Sequence, residues 1–299
     1  MKLLDYTICL PSLTTPVTII PFGCVHGDDP GFHEGLFEQC ISEIEKTPDC
    51  YAIGLGDYWN FLRTTARKHL KSYIGDEDSW RDMDHMVRKK AEEFYGKYLK
   101  RIRHKLIGLA EGNHFYEFSS GGTDTQYLCQ LAEVPYLDKP AFIRLNVEVH
   151  KRTLKVFKIL VHHGDWSGGY TRIGGDVNSV EMKALGFDFD IYLFSHTHRK
   201  FGLHVPSLSI STTGELRIIE RPRAFVRTGC FMRGYVENCA GRYVDKKLLS
   251  PSDIGYVRLS IHFSRPYSKT RYRAQAEKLG HRPSSGVAGP MSYKFEVSF

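Results

Sequence analysis

The chain has little that would staple, anchor or export it. Its seven cysteines (Cys9, Cys24, Cys40, Cys50, Cys129, Cys230 and Cys239) are odd in number and scattered. None forms a C-x-x-C pair, which argues against a secreted disulfide framework and for free thiols in a reducing compartment. Long apolar runs are missing: nothing approaches the ~20 residues that span a bilayer, so no membrane partner is expected. The start, Met1-Lys2-Leu3-Leu4-Asp5, brings an early acid and no sustained apolar stretch, so no signal peptide is expected. A cytosolic place follows, including the cytosol of a host cell. There is no internal repeat and no strong excess of one charge. The net +7 favours anionic partners, phosphorylated substrates or nucleic acid, only weakly. Hydrophobic residues at 41% and charged residues at 25% are ordinary for a globular protein. A chain of 299 residues buries most of its unfolded surface without covalent staples.

What is present is an alternation of strands and helices. Val17 to Gly23 reads as a buried β-branched strand, Gly35 to Lys46 as a helix, and Tyr51 to Gly56 as a second strand that leads into Asp57. Strand, helix, strand with an acid at the exit predicts a parallel sheet with ligands at the carboxyl ends of its strands. A longer helix is expected from about Met86 to Arg103. Its basic face (Arg88, Lys89, Lys90, Lys97, Lys100, Arg101, Arg103) is read first as a solvated outer surface and second as a nucleic-acid contact. Leu106 to Ala110 is a third strand ending at Glu111-Gly112-Asn113-His114, and Gln126 to Ala132 is a short helix. Phe142–Val149 and Thr153–Val161 form a predicted hairpin ending at His162-His163-Gly164. The Gly-rich loop Trp166 to Gly175, a helix near Val177–Leu185 and the strand Asp190–Phe194 lead to Ser195-His196-Thr197-His198. After Val205, short alternating segments at Leu208–Ser211, Leu216–Glu220, Phe225–Cys230 and Gly255–Phe263 predict antiparallel strands completing a second sheet. The simplest account is one domain over 1–299: a core at 17–204, a β extension at 205–263 and a polar tail at 264–299.

Five short segments carry metal-ligand chemistry: Cys24-Val25-His26, Gly56-Asp57, Gly112-Asn113-His114, His163-Gly164 and His196-Thr197-His198. In extended backbone, residues i and i+2 point to one side, so Cys24 and His26 can face one ion, and His196 and His198 can do the same or straddle two ions ~3.5–4 Å apart. Asp57 offers two oxygens and is the natural bridge. Asn113 offers a neutral carbonyl, and His163 an imidazole. Such mixed donors suit manganese, iron, nickel or zinc better than magnesium or calcium. Each segment alone has a structural reading: Asp57 as a helix cap, Asn113 as a turn residue, any one of 14 histidines as core or surface. Five strand exits each carrying a donor are not explained that way.

The order D-x-H, GD, GNH, H, GHxH resembles the signature of the calcineurin-like metallophosphoesterases, over roughly residues 17 to 204. The stretch from His162 to Thr197 and the later Thr228-Gly229-Cys230-Phe231 look like members found in phage genomes. The resemblance implies an α/β fold, a two-sheet β-sandwich flanked by helices, with the site at the strand ends. It implies two divalent metal ions, manganese first, with iron, zinc or nickel as the other candidates. Cys24, His26, Asp57 and His198 would hold the first ion; Asp57, Asn113, His163 and His196 would hold the second. His114 would protonate the leaving oxygen while a metal-activated hydroxide attacks phosphorus.

Three departures from that pattern stand out. Cys24 replaces the usual Asp; its thiolate is either a soft ligand or a small buried hydrophobe, with Asp28 and Asp29 near enough in sequence to supply an oxygen. Asn60 stands where an acid often orients the catalytic histidine, so Asn60 is the candidate for that role. Phe115 follows GNH where an acid is usual, and Glu117 is the nearby acid. His162 is expected to face away, and Asp165 to support an imidazole from outside the ligand set. The expected activity is a phosphodiesterase or nuclease. Tyr58-Trp59-Asn60-Phe61 with Arg63, Arg67 and Lys68 could stack and pair with a nucleotide or nucleic acid, or simply be core and solvated helix. The other readings are a phosphomonoesterase and a metal-depleted binding scaffold.

Overall fold

The β-branched run Val17-Thr18-Ile19-Ile20 is almost wholly shielded from solvent, as expected of a strand covered on both faces. It sits in a chain whose computed structural model describes residues 1–61, 77–164, 175–184, 186–211, 216, 218–237, 251–264, 278 and 292–299. In order, the regular elements are β1 (Lys2–Leu10), β2 (Val17–Phe22), α1 (Glu34–Lys46), β3 (Cys50–Gly54), α2 (Glu77–Phe94), β4 (Leu106–Ala110), α3 (Asp124–Ala132), β5 (Tyr136–Asp138), β6 (Ala141–Val149), β7 (Arg152–Val161), α4 (Gly175–Ala184), β8 (Ile191–Phe194), β9 (Phe201–Val205), β10 (Leu208–Ile210), β11 (Ile218–Glu220), β12 (Arg223–Arg227), β13 (Arg258–Ser264) and β14 (Ser292–Ser298).

Two six-stranded sheets form, in the orders β14-β13-β2-β3-β4-β5 and β1-β6-β7-β8-β12-β9. The strands β2 to β5 are parallel, as the βαβ opening predicts. The inner faces meet in one apolar layer: Ile19, Ile53 and Ile107 from the first sheet, Val147, Phe157, Ile159, Leu193 and Val226 from the second. Each such side chain contributes about 1.5–3 kcal/mol by leaving water. Outside the first sheet, α1 to α3 cover Phe22 with Phe37, Phe94 and Leu128. Outside the second, Val180 and Ala184 of α4 cover Leu160, Tyr192 and Phe225. The result is the expected two-sheet sandwich flanked by helices. Among the described residues no helix is long and apolar enough to cross a membrane.

The structure differs from the sequence reading at the edges. Lys2–Leu10 is a strand running parallel to β6, although one of its faces is solvent-exposed and its pattern is weakly apolar. The end of the segment read as a polar tail pairs with β13, because Tyr293, Phe295 and Val297 alternate inward. Of the predicted late strands, β12 joins the second sheet and β13 the first, while β10 and β11 form a separate two-stranded ribbon. The helix expected from Met86 begins at Glu77, passes through a π-helical turn at Tyr95–Leu99 and ends at Ile102.

Four of the seven basic residues of that helix are paired. Lys97 pairs with Glu34, Arg101 with Glu38 (2.5 Å) and Glu45 (2.6 Å), Arg103 with Glu133 (3.2 Å), and Lys90 with Asp28 (3.7 Å). Such half-exposed pairs are worth under about 1 kcal/mol each. They nevertheless spend the positive charge on α1 and its neighbours.

Asp124, the first residue of α3, is buried, and its Oδ1 accepts the Tyr116 N–H (2.8 Å). Burial pushes its carboxyl up to about 8, against the pull of the Tyr116 amide. An unfolded Asp titrates near ~3.9. Between about pH 4 and pH 8 the unfolded chain is therefore ionised here while the folded chain is not. Stability falls as pH rises through that window, by up to about 1.4 kcal/mol per unit from this group. Asp124→Asn keeps the acceptor and removes the titration. Urea unfolding at pH 5, 6.5 and 8 is expected to show the variant gaining on the wild type at each step; a constant gap would refute the assignment.

Candidate metal centre

All five donor segments lie at the carboxyl ends of strands: Cys24 and His26 after β2, Asp57 after β3, Asn113 after β4, His163 after β7 and His196 after β8. The first three exits belong to one sheet and the last two to the other, so the centre forms where the two sheets share a rim. The exits are laced together by backbone. Cys24 N–H donates to the Gly56 carbonyl (2.9 Å), Val25 and His26 N–H to the Asp57 carbonyl (2.8 and 3.1 Å), and Ser195 N–H to the His163 carbonyl (3.0 Å).

The backbone at these ligand positions is strained. Cys24 (φ 48°), His26 (φ 47°), Asp57 (φ 55°), His196 (φ 76°) and His198 (φ 57°) all lie in the left-handed region. Each costs about 1–3 kcal/mol, and such residues gather where function constrains the chain. Cys24 and His26 do share one donor group, but not through an extended segment. The positive φ at both residues replaces the simple i, i+2 alternation.

Asp57 is nearly fully buried. Its Oδ1 accepts the N–H groups of Asn113 (2.8 Å) and His114 (2.9 Å), and its Oδ2 lies 3.0 Å from His163 Nε2. His163 Nδ1 donates to the Leu55 carbonyl (2.5 Å), which fixes the tautomer. Its Nε2 then faces two oxygens, Asp57 Oδ2 and Asn113 Oδ1, both at 3.0 Å. A shared metal ion, or a proton on Nε2, would satisfy this arrangement. Asn113 Oδ1 also lies 3.0 Å from His196 Nδ1. Neighbouring ligands held at ~2.1 Å in an octahedron stand about 3.0 Å apart, so these spacings fit a cation.

A second group adjoins the first. The donor atoms of Cys24, His26 and His198 lie within 4.8 Å of one another, as do those of Cys24, Asp57 and His163. His26 Nε2 and His198 Nε2 are 3.3 Å apart, the spacing of about 3.3 Å expected for two nitrogens at ~2.05 Å on a tetrahedral ion. His26 Nδ1 is buried without a hydrogen-bond partner among the described residues.

The electrostatics suit a cation. Burial pushes Asp57 up, but facing His163, then His26 and His114, more than reverses this and holds the carboxyl well below the usual range. Burial pushes His26 well below the usual imidazole range, and His198 down to about 4. Near neutral pH, Asp57 is thus ionised and both imidazoles are neutral with lone pairs available. Burial, then Asp57, lifts the Cys24 thiol well above its usual range, with the Ser195 hydrogen bond opposing.

His114 stands beside this set, its ring 5.5 Å from that of His26. Asn60 does not orient it. Asn60 N–H donates to Asp28 Oδ1 (2.7 Å) and its side-chain amide to Asp29 Oδ2 (3.3 Å), while His114 Nδ1 lies 3.1 Å from the Phe61 carbonyl. A backbone oxygen supplies the contact that a side chain was expected to make. Asp28 and Asp29 are turned to Asn60, Lys90 and the Gly31 amide, and neither enters a donor group. Glu117 is exposed, and His162 Nδ1 accepts the Gly164 N–H (2.8 Å). Tyr58 and Trp59 are buried against Phe94 and form no open stacking platform. Arg63, Arg67, Lys68 and Asp165 lie outside the described residues, as does most of the Trp166–Gly175 loop.

Residues that sequence reasoning gave no role also hold the centre. Ser195 Oγ lies 3.1 Å from Cys24 Sγ and is fully buried. Asp253 N–H donates to the His198 carbonyl (2.8 Å), and Arg227, fully buried, donates to Thr197 Oγ1 (2.9 Å). Ser195 was visible inside S-H-T-H. The carbonyls of Leu55 and Phe61 and the amide of Asp253 carry no sequence signal, since every residue has them.

No protein-family model matches the sequence, and no curated protein matches it. Solved structures similar in shape include Vps29 from Entamoeba histolytica complexed with zinc (11% identity, 94% of this chain and 98% of that one, TM-score 0.38). Vacuolar protein sorting 29 from Cryptosporidium parvum (10% identity, 95% and 98%, TM-score 0.36) is another. A third is a predicted phosphoesterase from Streptococcus pneumoniae (14% identity, 94% and 99%, TM-score 0.30).

Proposed function

We propose that this chain is a metal-dependent phosphoester hydrolase of the calcineurin-like type, acting on phosphodiesters of the nucleotide or nucleic-acid class. One observation carries the reading: His163 Nε2 lies 3.0 Å from both Asp57 Oδ2 and Asn113 Oδ1, so three atoms able to bind a metal ion are gathered at ligand spacing. Cys24, His26, Asp57 and His198 would hold one divalent ion, and Asp57, Asn113, His163 and His196 the other. When bound, such ions lower the pKa of water and neutralise charge on phosphate oxygens. The chain's own residues do the rest. Asp57 binds through Oδ2 while Oδ1 stays committed to two backbone amides, so its position is fixed before any ion arrives. His163 is aimed by the Leu55 carbonyl. His114, whose Nδ1 lies 3.1 Å from the Phe61 carbonyl and would donate to it, would when doubly protonated give up its Nε2 proton to the departing oxygen. The net charge of +7 weakly favours anionic substrates, nucleic acid among them.

His114→Ala tests it. With added Mn²⁺, turnover of a dinucleotide is expected to fall by about 10²–10⁴-fold. The loss on bis(p-nitrophenyl) phosphate should be smaller, because a nitrophenolate leaves with little protonation, and bound metal should not change. Equal losses on both substrates would remove the general-acid role. Faster turnover of p-nitrophenyl phosphate than of either diester would move the assignment to a phosphomonoesterase. No bound metal and no turnover would leave the scaffold reading.

A further inference from the structure

Cys24 occupies an unusual place in the donor set. Among the described residues it is the one member of both groups, with Sγ within 4.8 Å of the His26 and His198 nitrogens and likewise of the Asp57 and His163 donor atoms. We infer that Cys24 is a metal ligand, and that it makes the first position, shared with His26 and His198, selective for a thiophilic divalent ion such as zinc over manganese or magnesium. This rests on the metal-centre reading above and names the ion that the reading leaves open.

Several observations carry it besides proximity. Cys24 is fully buried at φ 48°, a conformation that costs about 1–3 kcal/mol in a residue with a Cβ. A thiol serving only as a small core hydrophobe needs no such backbone. The strain is held from both sides: Cys24 N–H donates to the Gly56 carbonyl (2.9 Å), and its own carbonyl accepts the Phe231 N–H (3.1 Å). Ser195 Oγ lies 3.1 Å from Sγ and can donate to it, the kind of outer contact that orients a ligand atom. In the same donor group the two Nε2 atoms of His26 and His198 are set 3.3 Å apart. Among the described residues no carboxylate replaces the missing one, since Asp28 and Asp29 are turned to other partners.

The selectivity follows from the donors. One sulfur and two imidazoles form a set typical of zinc, with bonds of about 2.3 Å to sulfur and 2.0–2.1 Å to nitrogen. Magnesium and manganese prefer oxygen donors, and the described first position offers oxygen only through Asp57. Sulfur binds as the thiolate, and its proton passes to the buffer when the ion enters. The second position, with Asp57, Asn113, His163 and His196, has among the described residues no sulfur besides that of Cys24, which it would share, and is the less selective of the two.

Cobalt(II) reports this without any assay of turnover. The full chain is stripped with chelator and titrated with Co²⁺. The wild type is expected to develop a near-ultraviolet sulfur-to-cobalt charge-transfer band. Cys24→Ser is expected to lose that band while still binding cobalt at the second position. Cys24→Asp should bind without the band, and its preference for Zn²⁺ over Mn²⁺ in competition should fall at least tenfold. Cobalt bound to the wild type with no such band, or a band that persists in Cys24→Ser, overturns the role of Cys24 and leaves the hydrolase reading standing. Absence of cobalt binding in both the wild type and Cys24→Asp overturns the metal centre itself. The wild-type spectrum needs no variant to fold, so the first outcome is decisive alone.

Discussion

Asp57→Asn is expected to remove bound metal and to lower turnover on the order of 10³-fold or more, while the metal-free fold survives. Among the described residues Asp57 is the one carboxylate in either donor group. Its two oxygens have separate duties. Oδ1 accepts the amides of Asn113 and His114 at 2.8 and 2.9 Å, and an asparagine oxygen can do the same. Oδ2 faces His163 Nε2 at 3.0 Å, and there the variant places an amide N–H₂ where a negative oxygen stood. The backbone turn is kept and the negative charge of the donor set is lost. Losing the ions' stabilisation of the transition state forfeits several kcal/mol, and each 1.36 kcal/mol is tenfold in rate. The check is metal content after dialysis, with thermal unfolding at rising Mn²⁺ or Zn²⁺. A ligand that binds only the folded state raises the midpoint with concentration. The wild-type midpoint should climb and that of Asp57→Asn should stay flat. A variant that keeps its ions and its rate would end the proposal.

How much of this was written in the sequence differs between element types. The parallel opening β2-α1-β3 was legible, because a β-branched run, a 3.6-residue apolar stripe and a second run ending in Gly-Asp leave few other folds. The seven candidate ligand positions were legible as residue types at strand exits, and the structure brings Asp57, Asn113, His163 and His196 into hydrogen-bond distance and Cys24, His26 and His198 into one group. The edge strands were not. β1 gains its place by pairing along the whole of β6, a long-range fact with little local signature. β14 is short and polar on one face, so composition read it as tail. The orienting groups of the site were hidden for a different reason. Leu55 and Phe61 act through carbonyl oxygens and Asp253 through an amide, so their side chains say nothing about the role. Asn60 illustrates the converse: the side chain suited the task, but Asp29 takes its amide while Asp28 holds its backbone N–H. The aromatic pair Tyr58-Trp59 was open to two readings, and burial against Phe94 decides for core.

Gly112→Ala is expected to cost both the fold and the metal, which separates it from Asp57→Asn. A Cβ at residue 112 would stand 2.0 Å from Asp57 Oδ1 and 2.4 Å from Asp57 N. Neither atom can yield: the first is held by the two amides that define the GNH turn, and the second is backbone. Across the gap Gly56, at φ 92°, brings its own backbone against Gly112, where a Cβ would lie 2.3 Å from Gly112 N. The exits of β3 and β4 thus touch backbone to backbone, and that contact places Asn113, His114 and Asp57 in one cluster. An added methyl must push the loops apart. Overpacking costs about 1–3 kcal/mol, and loss of two charge-assisted amide bonds adds about 1.5–3 kcal/mol each. The total, on the order of 4–9 kcal/mol, is comparable to the whole stability of many domains. The metal-free variant should melt at least ~10 °C below the metal-free wild type, at roughly 2–4 °C per kcal/mol for a domain of this size. It should also show no rise in midpoint with added metal. Asp57→Asn loses the metal response alone. A Gly112→Ala protein that melts with the wild type and still takes up ions would mean that the close approach of the two loops is not what assembles the site.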